Sequence, residues 1–191
     1  MVFEVTEECN LSCKYCGLST FYEGNSERRG KHLPFRQAQL IIDYLVSIRD
    51  CPREADYPLN IGFYGGEPLL NMGLIKRIVS YVEQVNFPKA IYGITTNGML
   101  LDKHIDYLVK KKFQLLISLD GNQFQNSYRV DKNGKNSFKR VVRNVKLLQN
   151  KFPKYFKNYV QFNAVLHNRN CIEEIYSFIK NQFNKIPFVV P

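Results

Sequence analysis

Short apolar runs alternate along the chain with longer segments in which apolar residues recur every three or four positions. Runs of the first kind predict β-strands, and segments of the second kind predict amphipathic helices. Strands are expected at residues 2–6, 60–64, 90–95, 114–118, 160–166 and 188–190, with five helices between them. Such alternation indicates parallel strands joined by right-handed crossovers. The pattern therefore predicts an α/β fold, closed either as a doubly wound sheet or as a barrel.

Helix starts are marked at three places. Pro34 is expected at the first position of the first helix, where its missing N–H leaves no hydrogen bond unmade. Asp102 is expected to cap the helix that carries Ile105 and Leu108. Cys171 opens the last helix, and a helix-start or packing role is its expected one.

Four unusual motifs directly follow predicted strands. The cysteines follow the first strand, Gly65-Gly66-Glu67-Pro68 the second, Thr96-Asn97-Gly98 the third, and Asp120 the fourth. In a doubly wound sheet and in a barrel alike, functional groups sit at the carboxyl ends of the strands. The four motifs therefore predict one functional site at a single rim.

Composition narrows the class of protein. The chain has 191 residues, of which 45% are hydrophobic, so a disordered chain is excluded and a single domain is expected. No apolar run approaches the roughly 18 residues of a membrane span, and no signal peptide is visible, so the expected location is the cytoplasm. The net charge of +10 favours an anionic partner.

Three of the five cysteines, Cys9, Cys13 and Cys16, lie within eight residues. This clustering indicates a metal or redox site in a reducing compartment. Structural zinc takes four ligands, but the next candidates are His32 and Cys51, and Cys51 is expected at the opposite end of the sheet. Three thiolates on an iron–sulfur cube leave one iron open for chemistry. Zinc and unligated packing cysteines remain the alternatives to this iron–sulfur interpretation.

The C-x3-C-x2-C motif with an aromatic residue before its last cysteine resembles the radical S-adenosylmethionine (radical SAM) superfamily. Gly65 to Pro68 resembles the glycine-rich motif of that superfamily. Ser118-Leu119-Asp120-Gly121, followed by Arg129, resembles its branch of anaerobic sulfatase maturases and SPASM-type peptide maturases. The resemblance implies a partial (β/α)6 TIM-like barrel, incomplete at the C-terminal end. Residues 1–191 would form a radical SAM core domain of about five βα units, without an auxiliary-cluster domain.

The resemblance also implies the cofactors and the residues that bind them. Cys9, Cys13 and Cys16 would hold a [4Fe–4S] cluster whose open iron binds SAM. The implied SAM contacts are Tyr15 near the adenine, Gly65 and Gly66 by close backbone approach, Glu67 at the ammonium group, Ser118 and Asp120 at the ribose, Arg129 at the carboxylate, and Asn97 and Leu166 in the pocket wall. No catalytic residue is assigned beyond these.

The implied activity is reductive cleavage of SAM to a 5′-deoxyadenosyl radical, which abstracts hydrogen from a peptide or protein. The implied partners are that substrate and an electron donor such as flavodoxin or ferredoxin, with no membrane partner. The basic loop with Arg28, Arg29 and Lys31 is a candidate contact for an acidic peptide. Alternatives are a glycyl-radical-enzyme activase, a small-molecule radical SAM enzyme, or a metal- or nucleic-acid-binding module. The chain has no aromatic-interleaved basic motif, so nucleic acid is not the favoured partner.

Overall fold

A computed structural model of the chain describes residues 1–17, 30–48, 58–85 and 89–191. These residues form one six-stranded sheet in which every pairing is parallel and neighbouring strands follow each other in the sequence. The strands are β1 (Val2–Thr6), β2 (Leu59–Gly65), β3 (Ala90–Thr96), β4 (Gln114–Ser118), β5 (Val160–Val165) and β6 (Phe188–Val190).

Six α-helices accompany the sheet: α1 (Phe35–Ser47), α2 (Met72–Gln84), α3 (Leu101–Lys110), α4 (Phe138–Lys151), α5 (Pro153–Tyr159) and α6 (Ile172–Phe183). Two short 3-10 helices, Pro68–Asn71 and Gln125–Tyr128, follow β2 and β4. Consecutive parallel strands with right-handed crossovers place all helices on one face. The sheet is therefore an open, barrel-like sheet rather than a doubly wound one.

The two faces of the sheet differ in burial. Phe63, Ile94, Ile117 and Phe162 are at most 3% exposed and belong to the hydrophobic core beneath the helices. The alternating residues are more accessible and form the concave face of the open sheet. The concave face and the carboxyl ends of its strands are thus left available for a site.

Predicted strand positions are confirmed to within one residue at each end, but some details differ. Asp102 lies in the first turn of α3 and is not its cap, because the cap position is Leu100. Pro34 occupies the N-cap position of α1, one residue before the helix. Leu166 lies beyond the end of β5. Helix α5 and both 3-10 helices have no counterpart among the predicted elements.

Three residues singled out in the sequence, Arg28, Arg29 and Cys51, lie outside the described residues. Within the described ranges, no helix is both long enough and apolar enough to cross a lipid bilayer.

Candidate functional site

The cysteine loop after β1 is held by backbone hydrogen bonds to a segment more than 110 residues away. Ser12 N donates to Val130 O at 2.7 Å, and Lys14 N donates to Tyr128 O at 3.0 Å. Leu11 forms an antiparallel bridge with Asp131. The loop is therefore fixed against the segment that follows β4, at the carboxyl ends of the strands.

Gly65 and Gly66 bring the end of β2 against the same loop. Gly66 N donates to Thr6 O at 2.9 Å, and Glu67 N donates to Glu8 O at 2.8 Å. A Cβ atom would lie 2.3 Å from Thr6 O at Gly65, whose φ is +138°, and 2.2 Å from Glu8 O at Gly66. Both glycines are therefore required for contact between two backbones of the chain. Both also line the cavity, so their expected close approach to a ligand stays a prediction.

A cavity of about 650 Å³ lies at this rim. All three cysteines of the motif line it, together with Tyr15, Gly65, Gly66, Asn97, Ser118 and Arg129 from the expected set. The structure therefore brings these residues together at one rim, as the four motifs predict.

The cysteines fit an iron–sulfur cluster better than a single metal ion. Among the described residues, no three His, Cys, Asp or Glu side chains are close enough together to share one ion. Zinc would need ligands converging within about 2.3 Å of one centre, whereas a [4Fe–4S] cube distributes its cysteines over different irons. Burial raises the pKa of Cys9, and raises that of Cys13 to about 12. A bound metal centre would therefore have to displace the thiol protons.

Glu67 is fully buried and does not line the cavity. Its carboxylate accepts hydrogen bonds from Leu69 N at 3.0 Å, Thr96 Oγ1 at 2.7 Å and Asn97 N at 2.7 Å. Burial raises its pKa to about 7, although these three bonds act in the opposite direction. In the structure this carboxylate ties the end of β2 to the end of β3, and its expected role at the SAM ammonium group stays a prediction.

Asp120 is also fully buried and also lies outside the cavity lining. It accepts from Arg129 Nε at 3.0 Å and Nη2 at 2.9 Å, from Val165 N at 3.0 Å, and from the Tyr15 hydroxyl. These contacts give Asp120 an internal role, and its expected role at the ribose stays a prediction. Asp120 connects the cysteine loop, the Arg129 segment and the end of β5.

Arg129 faces the cavity from the other side of this ion pair. Burial acts against its charge, but the Asp120 carboxylate outweighs burial and raises the guanidinium pKa. Asp120 engages Nε and Nη2, and within the described part of the chain Nη1 has no hydrogen-bond partner. The guanidinium therefore keeps a donor for an anionic ligand group.

Tyr15 forms part of an aromatic cluster at the cavity wall. Its ring stacks on His167 with centroids 5.6 Å apart, and it meets the Tyr128 ring edge-on at 6.3 Å. The Arg129 guanidinium lies 5.4 Å from the centre of the Tyr15 ring. Burial lowers the pKa of His167, so this imidazole favours its neutral form. Tyr15 is the ring of this cluster that lines the cavity.

The remaining expected residues divide into two groups. Asn97 lines the cavity, with Nδ2 2.8 Å from Asn10 Oδ1 and 3.7 Å from Cys9 Sγ. Ser118 lines it as well, but Leu166 does not; its backbone N–H donates to Val190 O beyond β5. Sequence reasoning missed the other strand residues of the wall, Tyr64, Thr95, Leu116, Asn163 and Val165, whereas Thr96 belongs to a motif expected at the rim. These residues could have been found from the alternation along each predicted strand, whose second face points away from the helices.

Fold and site together define a parallel α/β barrel core with a three-cysteine cavity at the carboxyl ends of its strands. The sequence model of the radical SAM superfamily matches residues 3–180, and the chain belongs to that superfamily. Its cofactors are a [4Fe–4S] cluster and SAM. The residues around the cavity fit both groups, because three thiols would bind the cluster and the Arg129 guanidinium would donate to SAM.

Relatives and solved structures agree with this membership. The chain is 30% identical over 169 residues to the radical SAM cyclopropyl synthase TigE of Paramaledivibacter caminithermalis, covering 85% of this chain and 34% of that protein. It is 27% identical over 196 residues to the cysteine-type anaerobic sulfatase-maturating enzyme of Clostridium novyi, covering 99% and 50%.

The fold matches the solved structure of native anSMEcpe with bound AdoMet, which is SAM, at a TM-score of 0.77 and 23% identity. This match covers 98% of this chain and 50% of that one. The same protein has been solved with AdoMet and the Cp18Cys peptide. The expected partial barrel is thereby confirmed. The chain spans about a third to a half of the length of these proteins.

Proposed function

We propose that this chain is the catalytic core of a radical SAM enzyme that modifies a side chain of a peptide or protein. The observation that carries the proposal is the convergence of Cys9, Cys13 and Cys16 on one cavity that Ser118 and Arg129 also line. The likeness to a sulfatase-maturating enzyme over nearly the whole chain supports a peptide or protein substrate.

The bound cluster and SAM would supply a carbon-centred radical that abstracts hydrogen from the substrate. Cys9, Cys13 and Cys16 would hold the cluster as thiolates. Arg129 would donate from Nη1 to the SAM carboxylate, as guanidinium groups do to carboxylates. Ser118 would offer a hydroxyl to a polar group of SAM.

The cavity walls would orient the ligands and exclude water. Tyr15, backed by His167, would present a flat ring to the adenine. Asn97 would brace Cys9 through the contact between Nδ2 and Sγ. Reduction of the cluster requires an external donor, for which a flavodoxin or ferredoxin is the proposed partner class.

Anaerobic reconstitution of the protein with iron and sulfide tests the cluster. We expect about four irons per chain, the content of one cube. Replacing any one of Cys9, Cys13 and Cys16 with Ser should abolish stable cluster binding. Cys171→Ser is the matched control, because this free cysteine lies outside the cavity and should leave the iron content unchanged. Stoichiometric zinc and no iron in anaerobically purified protein would contradict the proposal.

Product analysis tests the reaction class and the substrate separately. With dithionite and SAM, the reconstituted protein should form 5′-deoxyadenosine, and Cys- or Ser-containing peptides should accelerate its formation. Acceleration by a small molecule but by no peptide would refute the peptide assignment and leave the radical SAM assignment standing. Failure to cleave SAM at all would refute both.

A further inference from the structure

The concave face of the sheet continues from the cysteine cavity into a second cavity of about 570 Å³, here named the lower groove. Tyr64, Thr95 and Leu116 line both, so the two cavities are continuous. The lower groove lies nearer the amino ends of the strands and contains none of the groups proposed to hold the cluster or SAM. Its volume falls within the usual range of ligand sites, about 300–1,000 Å³.

The floor of the lower groove contains two glycines in the middle of neighbouring strands. Gly62 of β2 pairs with Gly93 of β3, and Gly93 pairs in turn with Gln114 of β4. Glycine inside a strand weakens it, and such glycines often mark the close approach of a ligand or another backbone. The presence of glycine at both positions of this strand pair therefore needs a physical explanation.

Packing within the chain does not supply that reason at Gly93. Its φ is not positive, and a Cβ there would meet only Gln114 O, at an ordinary 3.8 Å. At Gly62 a Cβ would lie 3.1 Å from a methyl of Val2, a side chain that is 71% exposed. Gly65 and Gly66 differ from these two glycines, because a Cβ atom at either position would overlap backbone atoms of the chain. At Gly93, the missing side chain leaves the groove open.

The lining is uncharged, although 23% of the chain is charged. Within the described residues, no Asp, Glu, Lys, Arg or His lines the lower groove. Its polar groups include the carboxamides of Gln114, Gln161 and Asn158. The side chains of Gln114 and Gln161 are exposed and hydrogen-bond no other described residue. A carboxamide both donates and accepts, as does the peptide group, whereas an anionic small molecule would find no countercharge here.

We propose that the lower groove binds a neutral stretch of the substrate's polypeptide backbone, adjacent to the side chain that is modified in the cysteine cavity. This inference rests on the proposed function. The row of Thr95 and Leu116 lies two residues, or about 7 Å, along the strands from the row of Gly93 and Gln114. Two or three substrate residues therefore span the two cavities.

The test compares Gly93→Val with Gly73→Ala. Valine at 93 fills the floor of the groove and suits a strand, so it should not lower the thermal midpoint of the protein. Gly73, in α2, also has open space around its missing Cβ, but it lies outside the groove and serves as the matched control. The probe is a fluorescein-labelled pool of neutral, amidated pentapeptides with a central Cys or Ser, measured by anisotropy on protein without its cluster.

We expect saturable binding to the wild type and to Gly73→Ala, and at least tenfold weaker binding to Gly93→Val. On reconstituted protein, Gly93→Val should still cleave SAM to 5′-deoxyadenosine without peptide, while the peptide KM rises. Equal binding by Gly93→Val, no saturable binding to the wild type, or a lowered midpoint for Gly93→Val would each overturn the groove assignment. Loss of SAM cleavage in the wild type would instead refute the proposed function.

Discussion

Asp120→Ala should destabilise the cluster-free protein severely. The substitution removes the only described partner of two Arg129 nitrogens and also frees Val165 N and the Tyr15 hydroxyl. Asp120 is 0% exposed and Arg129 is 7% exposed, so the ion pair lies largely out of bulk water. Removing one member of a buried ion pair typically costs about 3–5 kcal/mol, because the remaining charge stays buried and uncompensated. We therefore expect a loss of about 4 kcal/mol, close to a thousandfold shift in the unfolding equilibrium.

Urea unfolding of the reduced protein measures this loss. With a slope of roughly 2 kcal/mol per molar urea, the midpoint should fall by about 2 M. Asp106→Ala is the control, because its pair with Lys151 is exposed and should change stability by less than about 0.5 kcal/mol. Adding Arg129→Met to Asp120→Ala should recover part of the loss by removing the orphaned charge. A fall below about 1 kcal/mol for Asp120→Ala, or no recovery in the double variant, would refute the reasoning.

Three further outcomes follow from the same geometry. Burial raises the pKa of Glu67 to about 7 in the folded protein, against 4.5 for an ordinary Glu side chain. Between these two pH values the folded protein binds more protons than the unfolded chain, so the free energy of unfolding should decline as pH rises from about 4.5 to 7. Urea midpoints across this range should show the decline, and an equal decline in Glu67→Gln would contradict it. Gly66→Ala should lower the free energy of unfolding by more than about 2 kcal/mol, because its Cβ would meet Glu8 O at 2.2 Å. An unchanged urea midpoint would contradict the required close approach. Ser118→Ala should weaken SAM binding in calorimetry by about 1 kcal/mol without changing the midpoint, and unchanged affinity would remove Ser118 from the site.

The sequence predicts the fold closely because its signals are local. An alternating or continuous apolar run predicts each strand. A parallel sheet brings all four motifs to one rim, whether it closes as a barrel or stays open. The short helix α5 escaped prediction because seven residues beginning at Pro153 carry too few turns for a period to emerge. Boundaries such as that between Val165 and Leu166 depend on partner strands that a local pattern does not contain.

The positions of the site residues were predicted from the sequence, but the hydrogen-bond partners of the two carboxylates were not. Cys9, Cys13 and Cys16 share one loop, so their spacing alone brings them together. The carboxylates of Glu67 and Asp120 sit at strand ends as expected, but each turns away from the cavity toward donors distant in the sequence. Asn97 N is 30 residues from Glu67, and Val165 N is 45 residues from Asp120. Motif order carries no information about such donors, so it cannot distinguish a ligand contact from an internal brace.

The hydrogen bonds from the cysteine loop to Tyr128 and Val130 have a consequence for synthesis. Cys16 leaves the ribosome before Asp131, the last residue of the segment that holds the loop, which follows it by 115 residues. At roughly 5–20 residues per second, the three thiols wait about 6–23 s before their supporting segment exists. During that time they are exposed to oxidation and to any free metal ion. A cluster inserted after the fourth strand and its loop have emerged would therefore meet a cysteine loop that is already supported.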